Sequence, residues 1–372
     1  MSPITHNNDV DAASVGPTTR NSTMHHATRL LLGAAAALCL SAPALAQTTL
    51  TVSTWGGPNH GVNTIVWPTW KAWIEEATEG RVTLDVVHDM GPPASQMDIV
   101  ADGIADASWI FHAHMAGRFL ATQLPEFPTF EEFSSEDASA AYWHTHREHL
   151  AQADEHRGVD VVAMGVHGPG QVFTRDAVAD LDDLAGLRLR VGGGVMSGLA
   201  EALGVTGVAL PPTGVYEAAS QGVVDGAMLT LESLRSFRVA EVAPHTLTVD
   251  GGFYRGSFAI VVNPMFWERV SAEDRQAIES VSGEHLSRLF GYMMDVSDER
   301  GVAFGEEQGQ VTQALDEAGI ARLQEITAEL IATWSADVAE RGIEAEVALE
   351  HFHEQLARAA EAEGIAARVV AH

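Results

Sequence analysis

At 372 residues the chain exceeds what one hydrophobic core organises, so two α/β domains are expected. Its 51 acidic against 21 basic residues leave a net charge of −30, which excludes nucleic acid and anionic membranes as partners, because both attractions are built from clustered Lys and Arg. Lys71 is the sole lysine and Cys39 the sole cysteine.

The amino terminus reads as a leader over 1–46. Arg29 precedes an apolar run over 30–40, and small residues at Ala44 and Ala46 complete a secretory signal cut before Gln47. Met24 opens a much better signal than the polar residues before it, so translation is expected to start there. Leu38 before Cys39 argues against a lipid anchor. Cleavage removes Cys39, leaving a chain suited to an oxidising periplasm, without disulfides, thiolate catalysis or cysteine-held metal. No second apolar run is long enough to cross a bilayer.

After the leader, 49–55 alternates as a strand, and GGPNHG is a loop that delivers Trp55, Asn59 and His60 to the strand's carboxyl end. A helix over 62–78 and a strand over 81–89 follow, which favours a parallel pair with a crossover helix. A short helix at 94–101 leads to a strand at 107–111. His112 and His114 lie beyond it, and with no third ligand nearby in sequence they are not read as a metal site. A helix over 136–155 is expected to carry His144, His146 and His149 on its solvated side. VDVVAMGV is a further strand, ending at His167.

The segment DDLAGLRLRVGGG, 182–194, holds the central feature. Leu187, Leu189 and Val191 alternate with Arg188 and Arg190 on a short strand, so Arg190 sits at its carboxyl end before a glycine-rich turn. Ligands of open α/β sheets bind beyond such ends, and a planar five-donor fork suits a carboxylate. Arg190 is therefore a candidate anchor, with a structural ion pair as the alternative, and Arg188 is read as a structural ion pair. The GGG turn is read as room for a closely approaching ligand. The α/β rhythm continues through a helix at 195–203, the 215–227 unit and a helix at 232–239 whose Glu232, Arg235 and Arg238 pair with one another. Two strands flank Gly251 and Gly252. From 272 a long helix of about thirty residues is expected, bent near Gly283 or Gly291, followed by helices over 321–341 and 343–360.

DGIAD at 102–106, DLAGLRLRV at 183–191, VYEAASQGVVDGA at 215–227 and the long helix after VVNPMFWERVSAEDR come in an order that resembles the substrate-binding proteins of tripartite ATP-independent periplasmic (TRAP) transporters. The resemblance runs from Thr48 to the last helix. It implies a two-lobed α/β binding protein with mixed sheets, hinge crossings and one long helix spanning both lobes. Lobe one is expected over 47–167 plus 256–295, and lobe two over 168–255 plus 296–372. It also implies that Arg190 pairs the substrate carboxylate, and that the receptor delivers an organic acid to a TRAP-type membrane permease for secondary-active uptake.

The chain departs from the sialic acid type of that family. A second arginine about twenty residues before the first falls here near Gly170, and AMLTLE stands where an asparagine is expected. Trp55, Trp109, Phe111, Phe173 and Met228 are bulkier and less polar, with His114, His167 and Gln171 as hydrogen-bond partners. A monocarboxylate with an apolar or aromatic body is the expected ligand, with no cofactor; a cation held with the substrate, as some family members have, is not favoured. An enzyme is the rival class, but there is no GxSxG or HExxH, and VGGGVMSG only nearly makes GxGxxG. A receptor serving an ABC importer or a sensor kinase is the other alternative.

Overall fold

The computed structural model describes residues 47–370; the signal segment, Cys39 and the start at Met24 lie outside the described residues. Strand β1 (Thr48–Thr54) leads through a π turn at Val62–Val66 into α1 (Trp67–Ala77), and β2 (Val82–His88) returns parallel to β1. After α2 (Gln96–Ala101), β3 (Ala107–Phe111) joins the other side of β1. Helix α3 (Ser135–Thr145) and β4 (Asp160–Val166) follow. The chain then crosses to a second sheet with β5 (Gly170–Thr174), β6 (Arg188–Val191), α4 (Val195–Ala202), β7 (Thr206–Ala209), α5 (Val215–Ser220), β8 (Gly226–Thr230), the single turn α6 (Ser233–Ser236) and β9 (His245–Thr248). It returns to the first sheet with β10 (Ser257–Val262) and ends with α7 (Ala272–Ser280), α8 (Glu284–Gln308), β11 (Val311–Ala314), α9 (Glu317–Ala339) and α10 (Ala345–Glu361).

The strand orders are β2-β1-β3-β10-β4 and β11-β9-β5-β8-β6-β7. Both sheets are mixed: β10 runs antiparallel to β3 and β4, and β5 antiparallel to β8 and β9. Each sheet has its own apolar core, giving a two-lobed α/β protein.

The long apolar repeat that begins at 272 divides. Gly283 adopts φ 61° and ψ −126°, a conformation that strains any residue with a Cβ, and so separates α7 from α8. Gly291 does something else: it lies against the backbone of Ser135 and Glu136, where a Cβ has no room, and lets α8 approach α3 closely. Helix α8 holds both lobes through two carboxylates. Asp295 accepts from the N–H groups of Ser135 at 2.7 Å and Glu136 at 3.0 Å, at the start of α3, while Asp298 accepts from Glu232 N–H at 2.7 Å, beyond β8.

Two expectations are corrected here. The last helix was placed with lobe two, yet Phe352 and Leu356 of α10 bury among Tyr142 and Met164 of the first lobe. Helix α9 makes this possible: its 23 residues reach about 35 Å, with Leu323 in the second core and Trp334 and Val338 in the first. His146 is not on a solvated face either. It is 6 % exposed and packs against His156, because a π turn at His146–Leu150 shifts the helical register that periodicity assumed. Among the described residues no helix is long and apolar enough to cross a membrane.

Candidate functional site

Strand β6 sets the site. Leu189 and Val191 enter the second core, and the alternation turns Arg190 to the opposite face at the strand's carboxyl end. Arg188 stays at the outer edge and binds Asp225, Nη2 to Oδ1 at 2.6 Å and Nε to Oδ2 at 3.0 Å. Arg190 is only 2 % exposed. It donates from Nε to Leu210 O at 2.8 Å and from Nη1 to Met228 O at 3.2 Å, both neutral acceptors. Burial lowers its pKa to about 10, and no carboxylate offsets this. A buried guanidinium without a counter-ion is costly, so the arrangement favours an anion beside it.

The space beside Arg190 is a small, partly open cavity between the lobes. The first lobe supplies an aromatic wall. Trp55 stacks on Trp109 with centroids 3.9 Å apart and planes within 8°, held by Trp55 Nε1 donating to Trp109 O at 3.1 Å. Phe111 and Phe258 meet at 4.8 Å beside them. Phe237 of the second lobe closes the box against His60 at 5.9 Å.

Few polar groups face this box, and several lack partners. Both ring nitrogens of His114 and the hydroxyl of Tyr254 are buried without a hydrogen bond. Burial first, and Arg190 second, lower the His114 pKa to about 3, so the ring is neutral with one donor and one acceptor to offer. His167 donates from Nδ1 to Gly168 O at 2.6 Å, which makes Nε2 the acceptor; burial lowers its pKa to about 3. Glu232 is buried and raised by that burial to about 7, hydrogen bonds from Ser236 and Thr230 only partly opposing it.

Of the nine residues singled out in the sequence, Arg190, Trp55, Trp109, Phe111, His114 and His167 all line this cavity. Gln171, Phe173 and Met228 do not. Both faces of strand β5 are buried, so its side chains are consumed by packing: Gln171 bonds the N–H and C=O of Val249, each at 3.1 Å, and Phe173 lies in a core with Ala227 and Leu229. Met228 faces the other core with Val172 and meets Arg190 only through its carbonyl. Glu232 does not pair with Arg235 or Arg238; it lines the cavity, and Arg238 binds Glu241 instead. The GGG turn makes room for lobe one, since Cβ atoms at Gly193 and Gly194 would meet Ala113 O and Glu126. His112 turns away from His114, to Ser257 Oγ at 3.0 Å and His156 Nε2 at 2.9 Å, so the two share no metal.

Sequence reasoning missed Thr230, Glu232, Phe237, Tyr254 and Phe258 as wall residues. Phe258 shares one face of β10 with the core residues Ile260 and Val262, so its period points to a core and not to a wall. Tyr254 sits on an irregular crossing where no period applies.

The chain has solved relatives with this architecture. It is 33 % identical to a TRAP periplasmic solute-binding protein from Bordetella bronchiseptica with bound (R)- and (S)-mandelate, with a TM-score of 0.81 over 84 % of this chain and 99 % of that one. A TRAP solute-binding protein from Rhodoferax ferrireducens in complex with copurified benzoate shares the fold at 24 % identity and a TM-score of 0.79, over 85 % and 99 % of the two chains. The outer membrane transporter protein TsaT of Comamonas testosteroni is 29 % identical over 87 % of this chain and 95 % of its own. The model of bacterial extracellular solute-binding protein family 7, DctP, matches residues 53–337. The two lobes with a cavity between them are thus those of a periplasmic organic-acid receptor of the TRAP type, and the chain belongs to family 7 of the bacterial extracellular solute-binding proteins.

Proposed function

We propose that this receptor takes an aromatic monocarboxylate, gripped by Arg190 and laid against the Trp55–Trp109 stack. The observation that carries the reading is the buried guanidinium without a counter-ion at the edge of an aromatic box. Tyr254 and His114 act beside Arg190 as the orienting hydrogen-bond partners, in place of a second arginine. The box favours a flat ring over a polyol, because a sugar acid would leave several hydroxyls buried without partners. Mandelate and benzoate in the solved relatives are of this chemical class. The wall residues bind and do not turn the acid over, no cofactor takes part, and delivery is to TRAP membrane subunits after export through a cleavable signal peptide.

Calorimetric titration with benzoate, mandelate, a C4-dicarboxylate and galactonate tests this. The aromatic acids are expected to bind at micromolar concentrations or below and the other two at least a hundredfold more weakly. Arg190→Ala is expected to lose tens to thousands of fold in affinity, the cost of truncating one partner of a buried charge pair, roughly 2–5 kcal/mol. Galactonate binding as tightly as benzoate would overturn the assignment of ligand class, and unchanged affinity in Arg190→Ala the assignment of the anchor.

A further inference from the structure

Far from the cavity, the π turn that follows α3 meets the last helix in a cluster of Glu148, His149 and His351, whose ligand-type atoms all lie within 4.8 Å of one another. The ring of His351 is fixed in one tautomer. Thr145 Oγ1 gives its hydrogen to Ala141 O at 2.9 Å, so it can only accept from His351 Nδ1 at 3.1 Å. The lone pair of His351 Nε2 therefore points outward, to Glu148 Oε2 at 3.2 Å. His149 Nε2 stands 4.0 Å from Glu148 Oε1, and the two imidazoles meet at 4.6 Å. A neutral lone pair facing a carboxylate oxygen at 3.2 Å is repulsive until a proton or a metal cation lies between them. The side-chain amide of Gln355, 3.2 Å from the same Nε2, can donate a hydrogen bond to it but brings no positive charge to the carboxylate.

The geometry points to a divalent transition-metal site, of the kind zinc occupies, with His149, His351 and Glu148 as ligands and water completing the tetrahedron. Two imidazoles and one carboxylate are a donor set that suits zinc and disfavours calcium or magnesium. The hydrogen bond from Nδ1 to Thr145 is the outer contact that orients a ligating histidine. Glu148 is 65 % exposed while His149 and His351 are mostly covered, which leaves an entry path and a defined seat. None of the three lines the acid cavity, so a metal here staples α10 to the first lobe and takes no part in ligand binding.

The test is calorimetric titration of the mature chain, free of any histidine tag, with zinc chloride, alongside His351→Gln, His149→Ala and a control at the exposed His88, His88→Gln. One equivalent of zinc is expected to bind at micromolar concentration and to raise the thermal midpoint. Affinity is expected to fall at least tenfold in both cluster variants and to stay unchanged in His88→Gln, with benzoate affinity the same in all four proteins. Circular dichroism establishes that each variant is folded; should His351→Gln fail to fold, His149, the more exposed of the two rings, carries the comparison. A zinc isotherm that is absent from the wild type, or identical in the cluster variants, would overturn the site and leave the carboxylate reading untouched.

Discussion

Glu126 of the first lobe accepts a hydrogen bond at 3.0 Å from the backbone N–H of Val195, the first residue of α4 in the second lobe. The N-cap of that helix is Gly194, which has no side chain to offer, so the cap comes from another part of the chain. The other carboxyl oxygen of Glu126 accepts from Ser257 Oγ at 2.7 Å, where the chain re-enters the first sheet. One buried side chain thus ties a lobe crossing to the helix that follows Arg190.

Glu126→Ala removes that tie. Loss of a cap costs about 0.5–2 kcal/mol, so ligand affinity is expected to fall roughly twofold to thirtyfold although Glu126 does not line the cavity. Calorimetry with the best aromatic acid measures it, and Glu126→Gln, which keeps an acceptor for Val195, is expected to recover most of the loss. Equal affinities in all three proteins would separate the cap from binding.

Glu232 should make affinity depend on pH. Its pKa of about 7 is set by burial, and a bound carboxylate adds negative charge to the same cavity, so the complex holds the Glu232 proton more tightly than the free protein does. Binding therefore takes up protons, and affinity is expected to fall as pH rises from 7 to 9. In Glu232→Gln that slope should flatten. A slope that persists in the variant assigns the linkage to another group.

Stability should fall in acid. His60 and His146 are lowered to about 4, and His114 and His167 to about 3, each chiefly by burial. Their folded pKa values lie below the unfolded 6.5, so these groups stabilise the fold fully above 6.5 and lose that contribution as pH drops toward 4 and 3. Glu126 and Glu232, raised to about 7, act in the opposite direction between 4.5 and 7. Four rings against two carboxyls leave a net loss, so the thermal midpoint is expected to fall from pH 6.5 to 4.5 and to fall more steeply below 4.5, where the carboxyls no longer oppose the rings. A midpoint that stays level down to pH 3.5 would contradict the buried, neutral state of these rings.

Gly291→Ala tests the seam between α8 and α3. The added methyl meets the Ser135 carbonyl, which is backbone and cannot swing aside. Although alanine favours a helix by about 1 kcal/mol over glycine, overpacking costs about 1–3 kcal/mol. A net fall in the thermal midpoint is expected, by differential scanning calorimetry; a rise would mean that the two helices separate freely.

The parts of the site readable in sequence were those with a local period. Arg190, Trp109 and Phe111 sit on or at the end of short alternating strands, and Trp55 begins the loop that follows one. Phe173 and Met228 show the limit of that signal, because alternation says which residues share a face and not whether the face meets a cavity or a core. Tyr254 and Glu232 lie on irregular backbone, and their places are fixed by contacts over long separations, as when Asp298 holds Glu232. The fold was more legible, its misplaced part being α10, since which lobe a terminal helix covers depends on the reach of α9.

Asp295 and Asp298, which hold the first and second lobe, are three residues apart on α8, or about 4.5 Å along its axis. Two bodies pinned to one rod at nearly the same height turn about it but hardly slide. Opening is then an angular motion whose sweep grows with distance from α8, so the outer rims of the two sheets travel farthest while the residues next to the rod scarcely move. A pair of spectroscopic labels on the rims at Asp85 and Thr206, both exposed, reports that swing most directly, and labels beside α8 stay nearly fixed.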